Sequence, residues 1–320
     1  MIGMLMRPMF RLVPDNTTIQ FMRGRYLGLA TSAILSLASL LLFFYPGLHL
    51  GIDFRGGIVM EVRTPGPADF GKLRAGLAAA KVPEAGLQRF GADDQALIRL
   101  DPQGDEASTQ ATVTRVRQGL EQALPGTRVV RTDAVGASVS AELFRDGMLA
   151  LGISLLMILV YIWFRFEWQF AVGAVVTLIL DVTKAVGFLV ITRIEFDLVM
   201  VAAILTVIGY STNDKVVVYD RMRENLRKYK TMPLRQLIDL SINETLNRTL
   251  GTSMTVFLAS LPLALFGGAS LSGFALMMLF GIIVGTSSSI FIAAPILLML
   301  GEKKLRRDAQ APAPAGAKKA

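Results

Sequence analysis

Apolar positions along this chain fall into long unbroken runs separated by one mixed stretch of about a hundred residues. Runs of about 20 apolar residues are long enough to cross a bilayer as helices. Six are legible: 26–46, 147–164, 170–192, 198–218, 249–266 and 274–300. The mixed stretch, 47–146, has near-balanced charge and short periods. Residues 58–63 alternate as a strand, and Phe70, Leu73, Leu77 and Ala80 then recur at helical spacing. Two short strands, 87–90 and 95–100, flank the turn-like Gly91-Ala92-Asp93-Asp94. Ser108 can cap a second helix with Val113, Val116, Leu120 and Leu124 on one face, ended by Pro125-Gly126 before a last strand, 127–135. The order is βαββαβ, a ferredoxin-like α+β domain between the first and second spans. The expected fold is therefore a polytopic α-helical membrane protein of six spans with that one extracytoplasmic domain.

Charge orients the chain. Arg7, Arg11, Arg23 and Arg25 precede the first span, and Lys303, Lys304, Arg306 and Arg307 follow the last. Basic residues flanking apolar runs place both termini in the cytoplasm and suit contact with anionic lipid, so the net charge of +8 is no nucleic-acid signature. The first run lacks a cleavage site and is an uncleaved helix. Residues 1–25 read as a cytoplasmic segment, and 219–248 as a basic cytoplasmic loop within the five-helix region 147–300. In that loop Leu234, Leu237, Ile238, Ser241 and Ile242 make an amphipathic helix along the membrane face. The Ala- and Pro-rich tail, 301–320, carries no packing pattern and is expected to be disordered. No internal repeat is visible. The chain has no Cys, which excludes disulfides and thiolate metal sites, and its one His makes no ligand cluster, so no metal or catalytic residue is expected.

Candidate chemistry lies inside the spans, where a charge at the bilayer centre costs about 2.5–3.5 kcal/mol on insertion scales. Asp214 has Ser211 one turn before it and Asn213 beside it. Arg248 leads a face with Thr245, Thr252 and Thr255. Asp214 and Arg248 lie towards the same ends of antiparallel helices, which allows a direct or water-bridged ion pair; a snorkelling interfacial Arg is the alternative. Asp181 is a secondary candidate, with Thr177 one turn before and Lys184 one turn after, where a locally neutralised pair is the alternative. In the last span Gly281, Gly285 and Ser289 make a small-residue face for close packing. An intramembrane aspartyl protease using Asp181 and Asp214 would need Gly-x-Gly-Asp before the second acid, and the chain has Ser211-Thr212-Asn213-Asp214.

Four stretches in order carry a resemblance: Gly51-Ile52-Asp53-Phe54-Arg55-Gly56-Gly57, Arg165-Phe166-Glu167-Trp168, Ile208 to Asn225 (IGYSTNDKVVVYDRMREN) and Asn243-Glu244-Thr245-Leu246-Asn247-Arg248-Thr249. Together they resemble the SecD/SecF family of the resistance-nodulation-division superfamily. That resemblance implies a non-enzymatic accessory subunit of the bacterial Sec translocase in the inner membrane, using proton (or sodium) motive force to promote protein translocation. It implies SecD, the SecYEG channel, YajC, YidC and the translocating preprotein as partners, no cofactor beyond the coupling ion, and an ion relay at Asp214 and Arg248 with a further acid from SecD. Gly51, Asp53, Gly56 and Gly57 would form the structural turn from first helix to first strand. A half-transporter exporting small molecules or lipids is the alternative reading. Three positions depart from the pattern: Lys215 stands where relatives often have a small hydroxyl residue, Leu180 where many have His, and Lys184 adds an internal base.

Overall fold

The computed structural model describes residues 13–14, 17–89, 91–101 and 106–300; the expected disordered tail lies outside them. Six of its helices are long and apolar enough to cross a membrane. A 3₁₀ turn, Phe21–Gly24, opens into α1 (Arg25–Phe44), and the one-turn α2 (Ile52–Arg55) leads into the head domain. The head follows as β1 (Gly57–Arg63), α3 (Phe70–Ala79), β2 (Gly86–Arg89), β3 (Gln95–Leu100), α4 (Glu106–Ala123) and β4 (Arg128–Val135). The remaining spans are α5 (Ala137–Arg165), α6 (Trp168–Thr192), α7 (Leu198–Lys228) and α8 (Leu234–Phe266), then α9 (Gly268–Ser288), a π-helical turn (Ser289–Ala293) and α10 (Ala294–Met299).

The head sheet runs β2-β3-β1-β4, every neighbour antiparallel. Alternation along β1 sends Ile58, Met60 and Val62 to one face, where they meet Leu73 and Leu77 of α3 and Val116 and Leu120 of α4. Asp69 caps α3 by accepting from Gly71 and Lys72 N–H, which fixes where the chain turns from strand to helix. The two helices touch through Gly76 and Gly119, whose missing side chains let each backbone lie against the other.

On the first span the polarity is inverted relative to a helix in water. On α1 the buried residues are Ser32, Ser36 and Ser39, while Leu27, Ile34, Leu37 and Leu41 face outward. Small side chains at the contacts let helices approach where lipid gives no hydrophobic drive to associate. Ser39 lies against Gly187 of α6, and Phe291 lies against Gly28. The glycine face expected in the last span does the same work, with Gly281 against Val207 and Gly285 against Ser211 of α7.

One expected element differs. Residues 219–248 are not a loop: α7 continues to Lys228 and α8 starts at Leu234, leaving 229–233 as the connection. The stripe Leu234, Leu237, Ile238 and Ile242 does not lie along a membrane face. It packs on Met22, Met222 and Leu226 as the first turns of α8, and that core covers the apolar face while Arg235 and Gln236 stay exposed.

Candidate functional site

Polar groups inside the spans gather at the contact of α6, α7 and α9. Asp181 of α6 is their centre. Its Oδ2 accepts from Ser211 Oγ at 2.9 Å, Ser288 Oγ at 2.7 Å and Lys215 Nζ at 3.0 Å, while Oδ1 accepts from Lys184 Nζ at 3.3 Å. All five side chains are buried. Helical spacing brings Ser211 and Lys215, one turn apart on α7, to a single carboxylate, and places Lys184 one turn along α6. Thr177 takes no part, since its hydroxyl donates to Gly173 O.

Asp214 is buried on the same helix and turned towards α8 and the π turn, beside the hydroxyls of Thr249 and Ser289. Its Oδ2 makes no hydrogen bond, nor does the buried Thr249 Oγ1. Of the consecutive residues Ser288 and Ser289, the first donates to Asp181 Oδ2, while the second lies beside Asp214 and donates to Gly285 O at 2.9 Å. The π turn begins at Ser289, an irregularity of a kind that recurs at functional sites. Nearby, Tyr210 Oη donates to Ser253 Oγ at 2.8 Å, and Ser253 Oγ lies 2.8 Å from Thr286 Oγ1, tying α7, α8 and α9 together.

The other expected relay residues are not drawn to Asp214. Arg248, Asn213 and Thr252 are exposed, and no ion pair joins Arg248 to Asp214 among the described residues. Thr245 and Thr252 donate to their own helix, to Ser241 O and Arg248 O. Lys215 and Ser288 were not expected to bind Asp181. The available signal was charge balance within the spans, two acids (Asp181, Asp214) against two lysines (Lys184, Lys215).

The glycine turn joins head to membrane. Gly56 and Gly57 have φ of +76° and +122°, and a Cβ on Gly57 would lie 2.5 Å from Leu100 O, so only glycine fits both. Gly51 N–H donates to Phe196 O at 2.9 Å and Phe196 N–H to His49 O at 2.7 Å. Asp53 Oδ2 accepts from Leu198 N–H at 3.1 Å, while Asp197 caps α7 by accepting from Met200 N–H. Phe54 packs between Phe144 and Phe196. An ion pair from Arg99 of β3 to Glu195 completes the joint.

Asp197 is held above the usual carboxylate range, first by burial and then by the charges of Asp53 and Glu195, against the lowering effect of the Met200 N–H. A folded-state pKa above the unfolded value means that the ionised form weakens the joint. That penalty is full above the folded pKa and lifts as pH falls towards 3.8. Hydrogen exchange corrected for intrinsic rates should find protection of the first turn of α7 rising as pH is lowered from about 8 towards 4. In Asp197→Asn, which keeps a capping oxygen, the rise should vanish; an unchanged pH dependence refutes the assignment.

At the other end of the spans the remaining quoted stretches meet. Arg165 pairs with Asp220 at 2.8 Å, Arg223 with Glu167 at 3.5 Å, and Arg221 with Glu244 at 2.7 Å. Asn225 Nδ2 donates to Ser241 and Glu244, and Tyr219 packs on Phe166 and Phe170. Asn243 and Asn247 each grip one residue of the N-terminal segment by both its backbone groups, Ile19 and Val13, at 2.9–3.1 Å.

Six membrane-length helices, a four-stranded head and balanced charge buried among the spans define a multi-pass membrane protein of the transport class. The chain belongs to the SecD/SecF family of protein-export membrane proteins. Residues 115–303 match the family description "Protein export membrane protein SecD/SecF, C-terminal", and 42–64 match the "SecD/SecF GG Motif". The chain is 43% identical over 295 residues to "Protein translocase subunit SecF" of Rickettsia akari, covering 92% of this chain and 96% of that one. It is 45% identical over 302 residues to "Protein translocase subunit SecDF" of Brucella abortus, of which it covers 39%. The crystal structure of SecDF from Thermus thermophilus, described as a translocon-associated membrane protein, superposes with a TM-score of 0.79 at 31% identity, over 92% of this chain and 40% of that one. SecDF in a "Super-membrane-facing form" gives 0.67 at 34% identity, over 95% and 40%.

Proposed function

We propose that the chain is an accessory subunit of the bacterial Sec translocase that works with SecD to convert proton motive force into promotion of protein translocation. Its seat is the inner membrane, with both termini cytoplasmic and the head, read as ferredoxin-like, in the periplasm. The observation that carries the reading is Asp214: a buried carboxylate with one oxygen unpartnered, in a helix whose outward stripe is open. That stripe is Ala202, Thr206, Gly209 and Asn213, and beside it α8 exposes Arg248, Thr252 and Thr255. Small and polar positions of this kind suit a second helical half better than lipid. SecD would cover them and supply a further acid within reach of Arg248.

Asp214 would take a proton from one side and lose it to the other. Neutralising it changes which packing of α7 against α8 and the π turn is favoured, and each charge crossing the field carries ~2.3 kcal/mol per 100 mV. The joint at Gly51 to Gly57 then passes the change to the head.

Asp214→Asn and Arg248→Ala should each assemble with SecD and the channel but lose the proton-motive-force-dependent part of export. The measurement is translocation of a preprotein into inverted vesicles with and without an uncoupler. Uncoupler-sensitive export at the wild-type level in both variants would remove the relay.

A further inference from the structure

We infer that the Lys215 ammonium occupies a monovalent-cation site built from oxygens of α6, α7 and α9, and that this residue is what makes the protein indifferent to Na⁺. Three oxygens receive Nζ: Asp181 Oδ2 at 3.0 Å, Ser211 backbone O at 3.3 Å, and Ser211 Oγ. Ser288 Oγ sits on the same Asp181 oxygen. A carboxylate, a carbonyl and hydroxyls are the donors that hard cations take in place of water. Lys215 is 2% exposed, so its ammonium is held by these groups and not by solvent.

With Asp214 ionised, charge sets the valence. Asp181 and Asp214 then carry two negative charges, and Lys184 and Lys215 two positive ones; Asp214 and Lys215 also attract each other. Removing the Lys215 side chain leaves the cluster one negative charge in excess and leaves room among its former acceptors. An uncompensated buried charge is strongly unfavourable. A monovalent ion restores balance, whereas a divalent ion overshoots it. Lys184 cannot fill the space, because it already binds the other oxygen, Oδ1, from its own helix.

The inference bears on ion selectivity within the function proposed above, but ion binding tests it without any export assay. The full chain is purified in choline chloride, and its thermal unfolding is followed while NaCl, KCl or more choline chloride is titrated in at constant ionic strength. The wild type should give the same melting temperature in all three. Lys215→Ser should show a saturable rise of at least about 2–4 °C with an alkali cation and none with choline. Adding Asp181→Asn, which removes both a ligand and the excess charge, should abolish that rise. If Lys215→Ser does not survive in choline, extraction in NaCl should rescue a monodisperse species. Equal loss in both salts, a flat titration of folded Lys215→Ser, or an equal Na⁺-induced rise in the wild type overturns the proposal. A positive binding result with uncoupler-insensitive export would leave the cation site standing and the ion-coupling reading refuted.

Discussion

Asp181→Ala should be the most destabilising single substitution in the membrane part, costing about 3–5 kcal/mol, the range for removing one partner of a buried ion pair. The loss is larger than that of a hydrogen bond because Asp181 answers four donors and separates two cations. Without it Lys184 and Lys215 face each other with no carboxylate between them, Ser211 loses its acceptor, and Ser288 keeps only Gly285 O. The mechanism makes a second claim. Asp181→Asn combined with Lys215→Met keeps the charges of Lys184 and Asp214 balanced, so the double variant should recover much of what Asp181→Asn alone loses. Melting temperatures of the two singles and the double, read by fluorescence-detected gel filtration, give the coupling. A double variant no more stable than Asp181→Asn would mean that the loss comes from packing and not from unbalanced charge.

Asn243→Ala with Asn247→Ala should release the segment before α1. Four side-chain-to-backbone hydrogen bonds disappear, two on Ile19 and two on Val13. At roughly 0.5–1.5 kcal/mol each the ceiling is about 6 kcal/mol. The bonds to Ile19 are exposed to water, so about 2–3 kcal/mol is the expected loss. Asp239, one turn earlier on α8, still holds Met22 N–H, which limits the release to residues before Phe21. Hydrogen exchange of residues 17–20 should rise at least tenfold while α8 keeps its protection. Unchanged exchange there would show that the segment is held by its apolar contacts instead.

The sequence displayed the spans plainly because apolar runs have a length set by the bilayer. It displayed the head equally well, since alternation in β1 and helical spacing in α3 and α4 point to one shared core. What stayed hidden were contacts between distant segments. Asn243 and Asn247 look like ordinary polar residues of a helix start until Val13 and Ile19 are found beside them. Lys215 looked like an oddity next to Asp214, whereas its side chain leaves that acid and crosses to Asp181 on another helix. Local spacing gives the face a side chain occupies, but not the helix waiting on that face. The reading of 219–248 as a loop failed for the same reason: basic residues spoke for solvent, while the apolar stripe that keeps the segment helical needed Met22 as its partner. Arg248 and Asn213 remain on an open surface, where their expected roles depend on a protein outside this chain.

The head hangs from the spans by two unequal straps: the glycine pair at Gly56 and Gly57, and Gly136, where β4 runs directly into α5. A rigid body tethered at two points keeps a single swing, about the line between them, like a shutter on its pins. Any turn about that line would have to part Arg99 of β3 from Glu195, the ion pair that ties the sheet to the connection between α6 and α7.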